Sequence, residues 1–307
     1  MNISTKLVII GIAAYNSRDN IAGLLRALLK QKLTGAKIQK ILVHCDCCTD
    51  DTFETAGSVK SPKITVIDGK ERMGFAGVVK SLIPKMTSDI GIILNDDILI
   101  KDDRLVEKLI MPFDKEKGVG LVGGNPRPLP ARTVIEKSIN SSVEIFEKTY
   151  FSTKNIHNKF FCDGKILALS KKFMDALRFP DDSGLMGNVD SYLYFSCLAE
   201  KFNFRFVPGA RVWFRQPSTI GDYIKLIARN HADYFIHSKT FGDIVARSYQ
   251  RPGGYVFYRN FSREFLKNPL EVTLAVIFNC YGWLKARNYS RWLTPTWEVN
   301  VSSKVLN

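Results

Sequence analysis

The chain has 307 residues, of which 45% are hydrophobic and 24% are charged. This length and composition allow one large α/β domain or two smaller ones with a proper core, and they exclude an intrinsically disordered chain. With 44 Lys and Arg against 30 Asp and Glu, the formal net charge of +14 favours acidic partners: nucleotides, nucleic acid or an anionic membrane surface.

The N-terminal sequence and the cysteines both indicate a cytoplasmic protein. The apolar run from Leu7 to Ala14 is short and carries no small-residue cleavage pattern, which argues against a signal peptide. The six cysteines form no disulfide framework and no second pair at zinc-finger spacing, so free thiols in a reducing compartment fit best. They stand at positions 45, 47, 48, 162, 197 and 280.

Short apolar runs alternate with helical patterns over the first 115 residues. We expect strands at Lys6–Ile12, Lys40–Val43, Ile64–Ile67 and Ile90–Leu94. We expect helices at Ile21–Leu29, Asp50–Ser58 and Phe75–Met86. This alternation predicts an α/β fold with a mostly parallel sheet flanked by helices, and it places ligands at the carboxyl ends of the strands.

Beyond residue 115 the pattern is less regular. A Gly/Pro-rich passage spans Gly123–Pro130, and a helical stretch runs from Thr133 to Tyr150. Near the C-terminus, the apolar core Val272–Leu284 is too short to span a bilayer. Trp283, Lys285, Arg287, Arg291, Trp292 and Trp297 suit an interfacial helix and a lipid-linked acceptor, while a helix buried against the domain stays open as the alternative.

Polar residues follow three of the predicted parallel strands. They are Ala14-Tyr15-Asn16 after the first strand, Asp46 after the second, and Asn95-Asp96-Asp97 after the fourth. Two adjacent carboxylates raise each other's pKa unless they are solvated or neutralised. Mn²⁺ or Mg²⁺, held by one or two carboxylates and completed by substrate phosphates, is the natural neutraliser.

The sequence resembles the family-2 glycosyltransferases that use nucleotide sugars and have the GT-A fold. The stretch Ile9–Asn16 is similar to their opening strand and turn, and Ile41–Thr52 to their second strand and its acidic end. The run Gly74–Gly77 resembles the Gly-Phe-Ala-Gly of rhamnosyltransferase-like members, and Leu94–Asp97 resembles their Asp-x-Asp metal motif.

The resemblance implies a role for each matching residue. The nucleotide would be bound by Ala14, Tyr15, Asn16, Asp46, Gly74 and Asp96, with Asp46 at the base and Asp96 at the ribose or a metal-bound water. Asp97, with Asp96, would hold Mn²⁺ or Mg²⁺. Asp190 falls where the family has its catalytic base, although an Asp that only caps a helix is the alternative. Asp163 and Gly164 would border the sugar and acceptor pocket.

The same resemblance predicts the domain organisation. Residues 1–220 would form the GT-A catalytic domain, with a nucleotide-sugar half to about residue 125 and an acceptor half over 126–220. Residues 221–307 would form a helical C-terminal extension that is membrane-peripheral in one interpretation, on the inner face of the membrane.

Two departures from the family pattern bear on function. Relatives that extend polymers carry Gln-x-x-Arg-Trp, whereas this chain has Leu226–Asn230, which disfavours a processive synthase. The histidine that some GT-A enzymes supply as a third metal ligand is not evident in Val212–Arg215, and His231 is a distant substitute. Arg215, Arg229 or Lys225 would instead meet the diphosphate.

The cluster His44–Cys48 could in principle bind zinc. Neighbouring residues on a strand point to opposite faces, however, and partner ligands are missing from the sequence, so small thiols beside a nucleotide pocket fit better.

The resemblance implies a metal-dependent, inverting glycosyltransferase that moves a sugar from a nucleoside-diphosphate sugar to an acceptor hydroxyl of a glycan or lipid-linked acceptor, in glycan, cell-surface polysaccharide or glycolipid synthesis. A non-catalytic relative that binds nucleotide sugar or glycan is the alternative, and a nucleotidyltransferase ranks below it. The sequence contains no nucleic-acid-binding module, and its aromatic residues are not interleaved with basic ones, which argues against nucleic acid as a partner.

Overall fold

The computed structural model describes residues 5–249, 254–289, 301–304 and 306. Within these residues, seven strands form one sheet in the order β3-β2-β1-β4-β6-β5-β7. The strands are β1 (Lys6–Ala14), β2 (Ala36–Asp46), β3 (Ile64–Gly69), β4 (Ile90–Asn95), β5 (Val119–Pro128), β6 (Ile166–Ser170) and β7 (Asn203–Phe214). All neighbouring pairs are parallel except those of β6, which runs antiparallel to β4 and β5. The predicted mostly parallel sheet is confirmed.

Helices cover both faces of this sheet and extend beyond it. They are α1 (Arg18–Leu29), α2 (Thr52–Ser58), α3 (Gly74–Leu82), α4 (Leu105–Ile110), α5 (Pro112–Lys115), α6 (Val134–Ser152), α7 (Lys171–Ala176), α8 (Val189–Ala199), α9 (Ile220–Phe241), α10 (Asp243–Ser248), α11 (Gly254–Lys267) and α12 (Pro269–Tyr289). Short 3₁₀ turns lie at Ile83–Lys85, Lys159–Phe161, Ser183–Met186 and Val301–Ser303.

The sequence patterns explain why these elements form. Helix α1 buries Leu25 and Leu28 in the core on one face of the sheet, and α3 buries Leu82 on the other. The predicted helix over Phe75–Met86 ends earlier, at Leu82, because Pro84 lacks an N–H and its ring crowds the preceding turn. Helix α6 begins as predicted, since Thr133 and Glu136 form a reciprocal capping box.

The Gly/Pro-rich passage that disturbed the sequence pattern is the end of strand β5. Strand β6 pairs with β5 only over Leu121–Gly123, so Pro126 and Pro128 lie where β5 bonds to β7 alone. Proline is tolerated there because its missing N–H costs nothing on an unpaired edge. The sequence analysis predicted no strand here, because a Gly/Pro-rich passage interrupts the apolar pattern and a sequence does not show which edge of a strand is unpaired.

The last long helix has two different faces. Val272, Ala275 and Ala286 of α12 are buried, whereas Leu270 and Leu284 are more than half exposed. Helix α12 packs against α9 and α6, so it is neither fully buried nor free of the domain. No helix in the described part of the chain has the length and apolarity needed to cross a membrane. The predicted interfacial residues Arg291, Trp292 and Trp297 lie outside the described residues.

Candidate functional site

One cavity of about 1240 Å³ lies along the carboxyl ends of β1, β2 and β4 and extends towards α6, α8 and α9. Of the residues singled out from the sequence, it is lined by Ala14, Tyr15, Asp46, Gly74, Asp96, Asp97, Asp163, Gly164, Asp190, Arg215 and Arg229. Asn16 follows Tyr15 in the turn after β1 but does not line the cavity. The sheet therefore brings together residues that are far apart in the chain.

The turn after β1 is held to the neighbouring strand ends by hydrogen bonds. The backbone N–H of Tyr15 donates to the Asp96 carboxylate over 2.8 Å. Asn16 adopts a left-handed backbone with φ of 47°, and its side chain exchanges hydrogen bonds with Thr49 of 2.8 and 3.0 Å. Asn is among the few side chains that accept this conformation readily, which explains why it follows Tyr15.

Asp46 is almost fully buried and joins the end of β2 to the start of α3. Its carboxylate accepts backbone N–H groups of Met73 at 2.7 Å and Gly74 at 2.9 Å, and it pairs with the Arg72 guanidinium. Gly74 has φ of 70°, a conformation that favours glycine. A carboxylate offers about four acceptor sites. The three protein contacts therefore leave the Asp46 carboxylate little capacity to accept a hydrogen bond from a ligand.

Arg72 belongs to the site although sequence reasoning missed it. Its guanidinium lies 3.5 Å from the centre of the Tyr15 ring, in cation–π geometry, while it pairs with Asp46. Its position two residues before Gly74 could have identified it from the sequence, because an arginine beside a predicted nucleotide-binding loop is well suited to bind phosphate.

The strand end Asn95-Asp96-Asp97 carries oxygen atoms without protein partners. The Oδ1 atoms of Asn95 and Asp97 are buried and accept no hydrogen bond in the described structure. Removal from water raises the pKa of Asp97 above its ordinary value, and the neighbouring Asp96 charge raises it further. Buried oxygens of this kind fit a hard divalent cation. Among the described residues, no three His, Cys, Asp or Glu side chains converge to hold a metal by themselves.

Lys304 supplies a positive charge to this strand end, and no sequence pattern pointed to it. Its ammonium donates to both carboxylate oxygens of Asp96 at 2.8 and 2.9 Å and to the carbonyl of Tyr15 at 2.8 Å. Burial opposes its charge, but Asp96 and Asp97 raise the pKa of Lys304 above its ordinary value. The contact spans 208 residues of sequence.

Asp190 lies in the first turn of α8, on the other side of the cavity. Asn188, not Asp190, occupies the N-cap position, so the alternative that Asp190 caps this helix does not describe the geometry. Its carboxylate faces the ammonium of Lys159 at 3.9 Å. Burial raises the pKa of Asp190; Lys159 opposes that shift, while Asp233 and Asp163 add to it.

A buried hydrogen-bond network holds the turn of α8 that carries Asp190. Asp233 of α9 accepts the backbone N–H of Asn188 at 3.0 Å, its side-chain amide at 2.9 Å, and the hydroxyl of Ser191. His237 lies 3.5 Å from the same carboxylate. Although burial opposes its charge, hydrogen bonding lowers the pKa of Asp233 below its ordinary value. Helix α9 thereby fixes the first turn of α8.

Three other candidates from the sequence are Asp163, Arg215 and Arg229, and the first two contact charged groups of the protein. Asp163 accepts the backbone N–H of Lys165 at 2.9 Å, and the Lys165 ammonium lies 3.5 Å from the same carboxylate. Arg215 is buried; it donates to the carbonyl of Pro130 at 2.8 Å and lies 3.6 Å from Glu136. Arg215 therefore already has a buried counter-charge. Arg215 and Arg229 both line the cavity, the latter from α9.

All six cysteines are free. Cys45 is buried in the core on the α1 side of the sheet, while His44 contacts Ser81 of α3 on the other side. The two side chains thus point to opposite faces, as expected for strand neighbours. A hydrogen bond with Cys45 lowers the pKa of the Cys48 thiol to about 7.

Comparison with known proteins identifies the class to which this fold and site belong. Residues 9–177 match the model of the family described as "Glycosyl transferase family 2", and this match covers more than half of the chain. The chain belongs to glycosyl transferase family 2. A search of curated proteins by sequence gave no significant match.

Solved structures show the same fold. The mannosyltransferase PcManGT from Pyrobaculum calidifontis, in complex with GDP-Man and Mn²⁺, is 16% identical with a TM-score of 0.58, over 88% of this chain and 73% of that one. The glucosyl-3-phosphoglycerate synthase from Mycobacterium tuberculosis, with Mn²⁺, UDP and phosphoglyceric acid, is 15% identical with a TM-score of 0.55, over 77% and 79% of the two chains. A complex of that synthase with Mg²⁺ and UDP has a TM-score of 0.52 at 14% identity, over 77% and 80%. The predicted GT-A fold is confirmed.

Proposed function

We propose that this protein is a metal-dependent, inverting glycosyltransferase that moves a sugar from a nucleoside-diphosphate sugar to an acceptor hydroxyl. The observation that carries the proposal is that one cavity joins the Asp96-Asp97 strand end to Asp190 in a chain of glycosyl transferase family 2. Neighbours of the same fold are complexes with nucleotides or nucleotide sugars and Mn²⁺ or Mg²⁺, which supports this donor class and this cofactor.

The nucleotide would lie against the ends of β1, β2 and β4. In this proposal Tyr15, Ala14 and Gly74 contact the nucleotide, and Asn16 holds the turn that carries Tyr15 through its hydrogen bonds with Thr49. Asp46 would reach the base through the acceptor site that its three protein contacts leave free. Asp96 would contact the ribose. Arg72, beside Tyr15, and Arg229, on α9, are the cations we assign to the diphosphate.

Asp97, with Asp96, is the proposed holder of Mn²⁺ or Mg²⁺. The partnerless Asp97 Oδ1 and Asn95 Oδ1 atoms fit such an ion. When bound, the ion would supply positive charge to offset the charge that develops on the leaving diphosphate. Asn95 is the last residue of β4, a strand that is buried almost throughout, and Asp97 follows it by two residues.

Asp190 is the proposed general base. Its carboxylate would accept the proton of the acceptor hydroxyl as that oxygen bonds to the anomeric carbon, on the face opposite the leaving group. The bond from this carbon to the diphosphate oxygen breaks at the same time, so the configuration inverts and a nucleoside diphosphate leaves. General-base catalysis of this kind contributes about 10²–10⁴-fold. Lys159, at 3.9 Å, would hold the carboxylate ionised and in place.

The first experiment is calorimetric titration with UDP, GDP, dTDP, ADP and CDP, with and without Mn²⁺. We expect one nucleotide to bind in a metal-dependent manner and Asp97→Ala to abolish that dependence. Asp103→Ala is the matched control, because Asp103 is a half-exposed acid after the same strand, paired with Lys32. If none of the five binds the wild type under either condition, the proposed donor site is wrong.

A second experiment tests whether Asp190 is the general base. Asp190→Asn should retain nucleotide affinity and lose sugar transfer, because the neutral amide cannot take a proton. Asp175→Asn, which changes an exposed acid paired with Lys171, should leave both unchanged. Near wild-type turnover by Asp190→Asn on the true acceptor would show that Asp190 is not the base.

A second candidate function is binding of nucleotide sugar without transfer. It is favoured by the extent to which the protein itself occupies Asp46 and Asp96, through three contacts each. Metal-dependent nucleotide binding without release of sugar from the donor, across a broad acceptor panel, would select this candidate over the transferase.

We propose that the acceptor is a glycan or a lipid-linked molecule, used in polysaccharide or glycolipid synthesis. Helices α11 and α12 pack against α6, which lines the cavity, so we propose that residues 221–307 support the acceptor half of the catalytic domain. The outward face of α12 is apolar, with Ile277 and Leu284 more than half exposed. Positive charge lies near the end of α12, where Lys285 stacks on Tyr281 and Arg287 stacks on Trp283.

We propose that this face of α12 rests on an anionic membrane surface, because its exposed apolar and basic residues together match such a surface. Sedimentation with vesicles of anionic lipid at low salt should pull the protein down, and vesicles of neutral lipid should do so much less. Leu284→Ser should weaken the binding, while Leu185→Ser, at an equally exposed leucine away from α12, should not. Absence of binding to anionic vesicles at low salt would end the membrane proposal.

A further inference from the structure

The segment Val301–Ser303 with Lys304, here called the 301–304 segment, returns to the catalytic cavity. Only 18% of the Lys304 side chain is exposed, and its ammonium contacts both carboxylate oxygens of Asp96. It also donates to the carbonyl of Tyr15. The three acceptors belong to the strand ends that we assign to the nucleotide and the metal.

Contacts on both sides hold the segment in place. Ser302 donates from its backbone and its hydroxyl to the Asp222 carboxylate of α9, at 3.2 and 2.6 Å, and accepts the backbone N–H of Ser218 at 3.1 Å. The carbonyl of Lys304 accepts the side-chain amide of Asn20 of α1 at 2.9 Å. These anchors do not involve Asp96, so the position of Lys304 is set by more than its own ion pair.

The Lys304 ammonium and a divalent cation would compete for the negative charge of Asp96 and Asp97. Asp96 accepts three hydrogen bonds in this arrangement, one from Tyr15 and two from Lys304. A cation at Asp97 would face the Lys304 ammonium at short range in a poorly hydrated site, where like charges repel strongly. A ribose hydroxyl would likewise meet an Asp96 whose acceptor sites are mostly filled.

We propose that the 301–304 segment is an internal occupant of the donor site, which the divalent cation and the nucleoside diphosphate must displace. The inference rests on the proposed function. Lys304 neutralises the Asp96-Asp97 pair in the free protein, and entry of the donor with its cation moves the segment out of the cavity. The segment thereby restrains the enzyme until donor and metal are both present.

Titration of the full-length protein with Mn²⁺ alone, followed by the paramagnetic resonance of free Mn²⁺, tests this without any turnover. Lys304→Met should bind Mn²⁺ about tenfold more tightly than the wild type, a typical size for coupling between two ligands. Lys32→Met removes the same charge at an exposed site and should change nothing. Asp222→Ala frees Ser302 without altering any charge on Asp96, and it should also tighten Mn²⁺ binding.

Hydrogen exchange gives a second, structural measurement. Adding Mn²⁺ with the nucleotide selected by calorimetry should accelerate exchange of the backbone amides in the 301–304 segment of the wild type. Unchanged Mn²⁺ affinity in Lys304→Met would overturn the proposal, as would weaker nucleotide binding at unchanged Mn²⁺ affinity, which would make Lys304 a ligand of the diphosphate. In either case the wild type still binds metal and nucleotide together, whereas failure of wild type and variant alike to bind Mn²⁺ even with nucleotide present would overturn the proposed function as well.

Discussion

The carboxylate of Asp46 accepts a 2.9 Å hydrogen bond from the backbone N–H of Gly74, so the end of β2 holds the first residue of α3. The same carboxylate also accepts the Met73 amide and pairs with Arg72. Asp46 is therefore first an organiser of the loop that precedes α3, and any contact with a base comes in addition.

We expect Asp46→Ala to lower the free energy of unfolding by about 3 kcal/mol, because it leaves two backbone donors and a guanidinium without their buried acceptor. Urea denaturation measures this loss. Asp68→Ala is the matched control at the end of the neighbouring strand, where the acid is exposed and paired with Lys70, and it should change stability by less than about 0.5 kcal/mol. Equal, small effects of both changes would contradict the organising role.

Lys159 gives the proposed reaction a distinctive pH dependence. Asp190 must be ionised to act as a base, so the rate falls as pH drops through its pKa. Burial, Asp233 and Asp163 all raise that pKa, and the charge of Lys159 is the strongest influence that opposes the rise. Lys159→Met should therefore shift the acidic limb of the pH–rate profile to higher pH. The measurement is release of nucleoside diphosphate from the donor as a function of pH.

Lys154→Met is the control for that profile, since it removes an exposed lysine from the preceding segment. Its acidic limb should coincide with that of the wild type. A Lys159→Met profile that is lower in amplitude but unmoved along the pH axis would mean that Lys159 supports structure and does not tune Asp190.

Asp233 is expected to stabilise the fold through the first turn of α8. Asp233 accepts hydrogen bonds from Asn188 and Ser191. Burial raises its pKa, but interactions with His237, Lys159 and Ser191 outweigh burial and hold the pKa below the ordinary value of 3.8. A depressed pKa contributes stability that is present above the ordinary pKa and lost as pH falls through the folded-state value. Asp233→Asn should therefore cost about 2–3 kcal/mol at neutral pH, with a gap to the wild type that begins to close below about pH 4.

Urea denaturation at a series of pH values measures that gap. Asp243→Asn, which changes an exposed acid at the start of α10, should show no comparable cost. If the difference in unfolding free energy between the wild type and Asp233→Asn stays constant from neutral to acid pH, the charge of Asp233 does not contribute to the network.

The first half of the fold and its strand-end residues could be predicted from the sequence. Continuous apolar runs such as Ile90–Leu94 identify strands covered on both faces, and parallel strands necessarily bring their carboxyl ends together. That is why Tyr15, Asp46 and Asp96 could be assigned to one site from sequence alone. Their individual hydrogen bonds could not, because a carboxylate that binds a ligand and one that binds its own loop look alike in sequence.

The contacts made by Lys304 and the strand β5 show where sequence reasoning ends. Lys304 meets Asp96 across 208 residues, and no local pattern encodes a contact at that separation. Strand β5 contains Pro126 and Pro128, whose acceptability depends on which edge is unpaired. Both features are decided by tertiary pairing, which a single sequence does not display.

The packing of α12 on α9 depends on Gly282. A Cβ atom at this position would lie 2.4 Å from Cγ2 and 2.9 Å from Cβ of Ile227, closer than such atoms can approach. Ile227 is itself buried and β-branched, so its side chain cannot turn aside freely. We expect Gly282→Ala to push the two helices apart and to cost about 1–3 kcal/mol, although alanine is the better helix former.

Gly23→Ala is the matched control, because Gly23 also lies within a helix but an added Cβ meets no atom within 4 Å. Alanine there should raise stability by about 0.5–1 kcal/mol, since it reduces the entropy that the backbone loses on folding. The two substitutions should therefore shift the midpoint of urea denaturation in opposite directions. A stabilising Gly282→Ala would mean that α12 does not sit closely on α9, and the support that we assign to it behind the acceptor half would lose its basis.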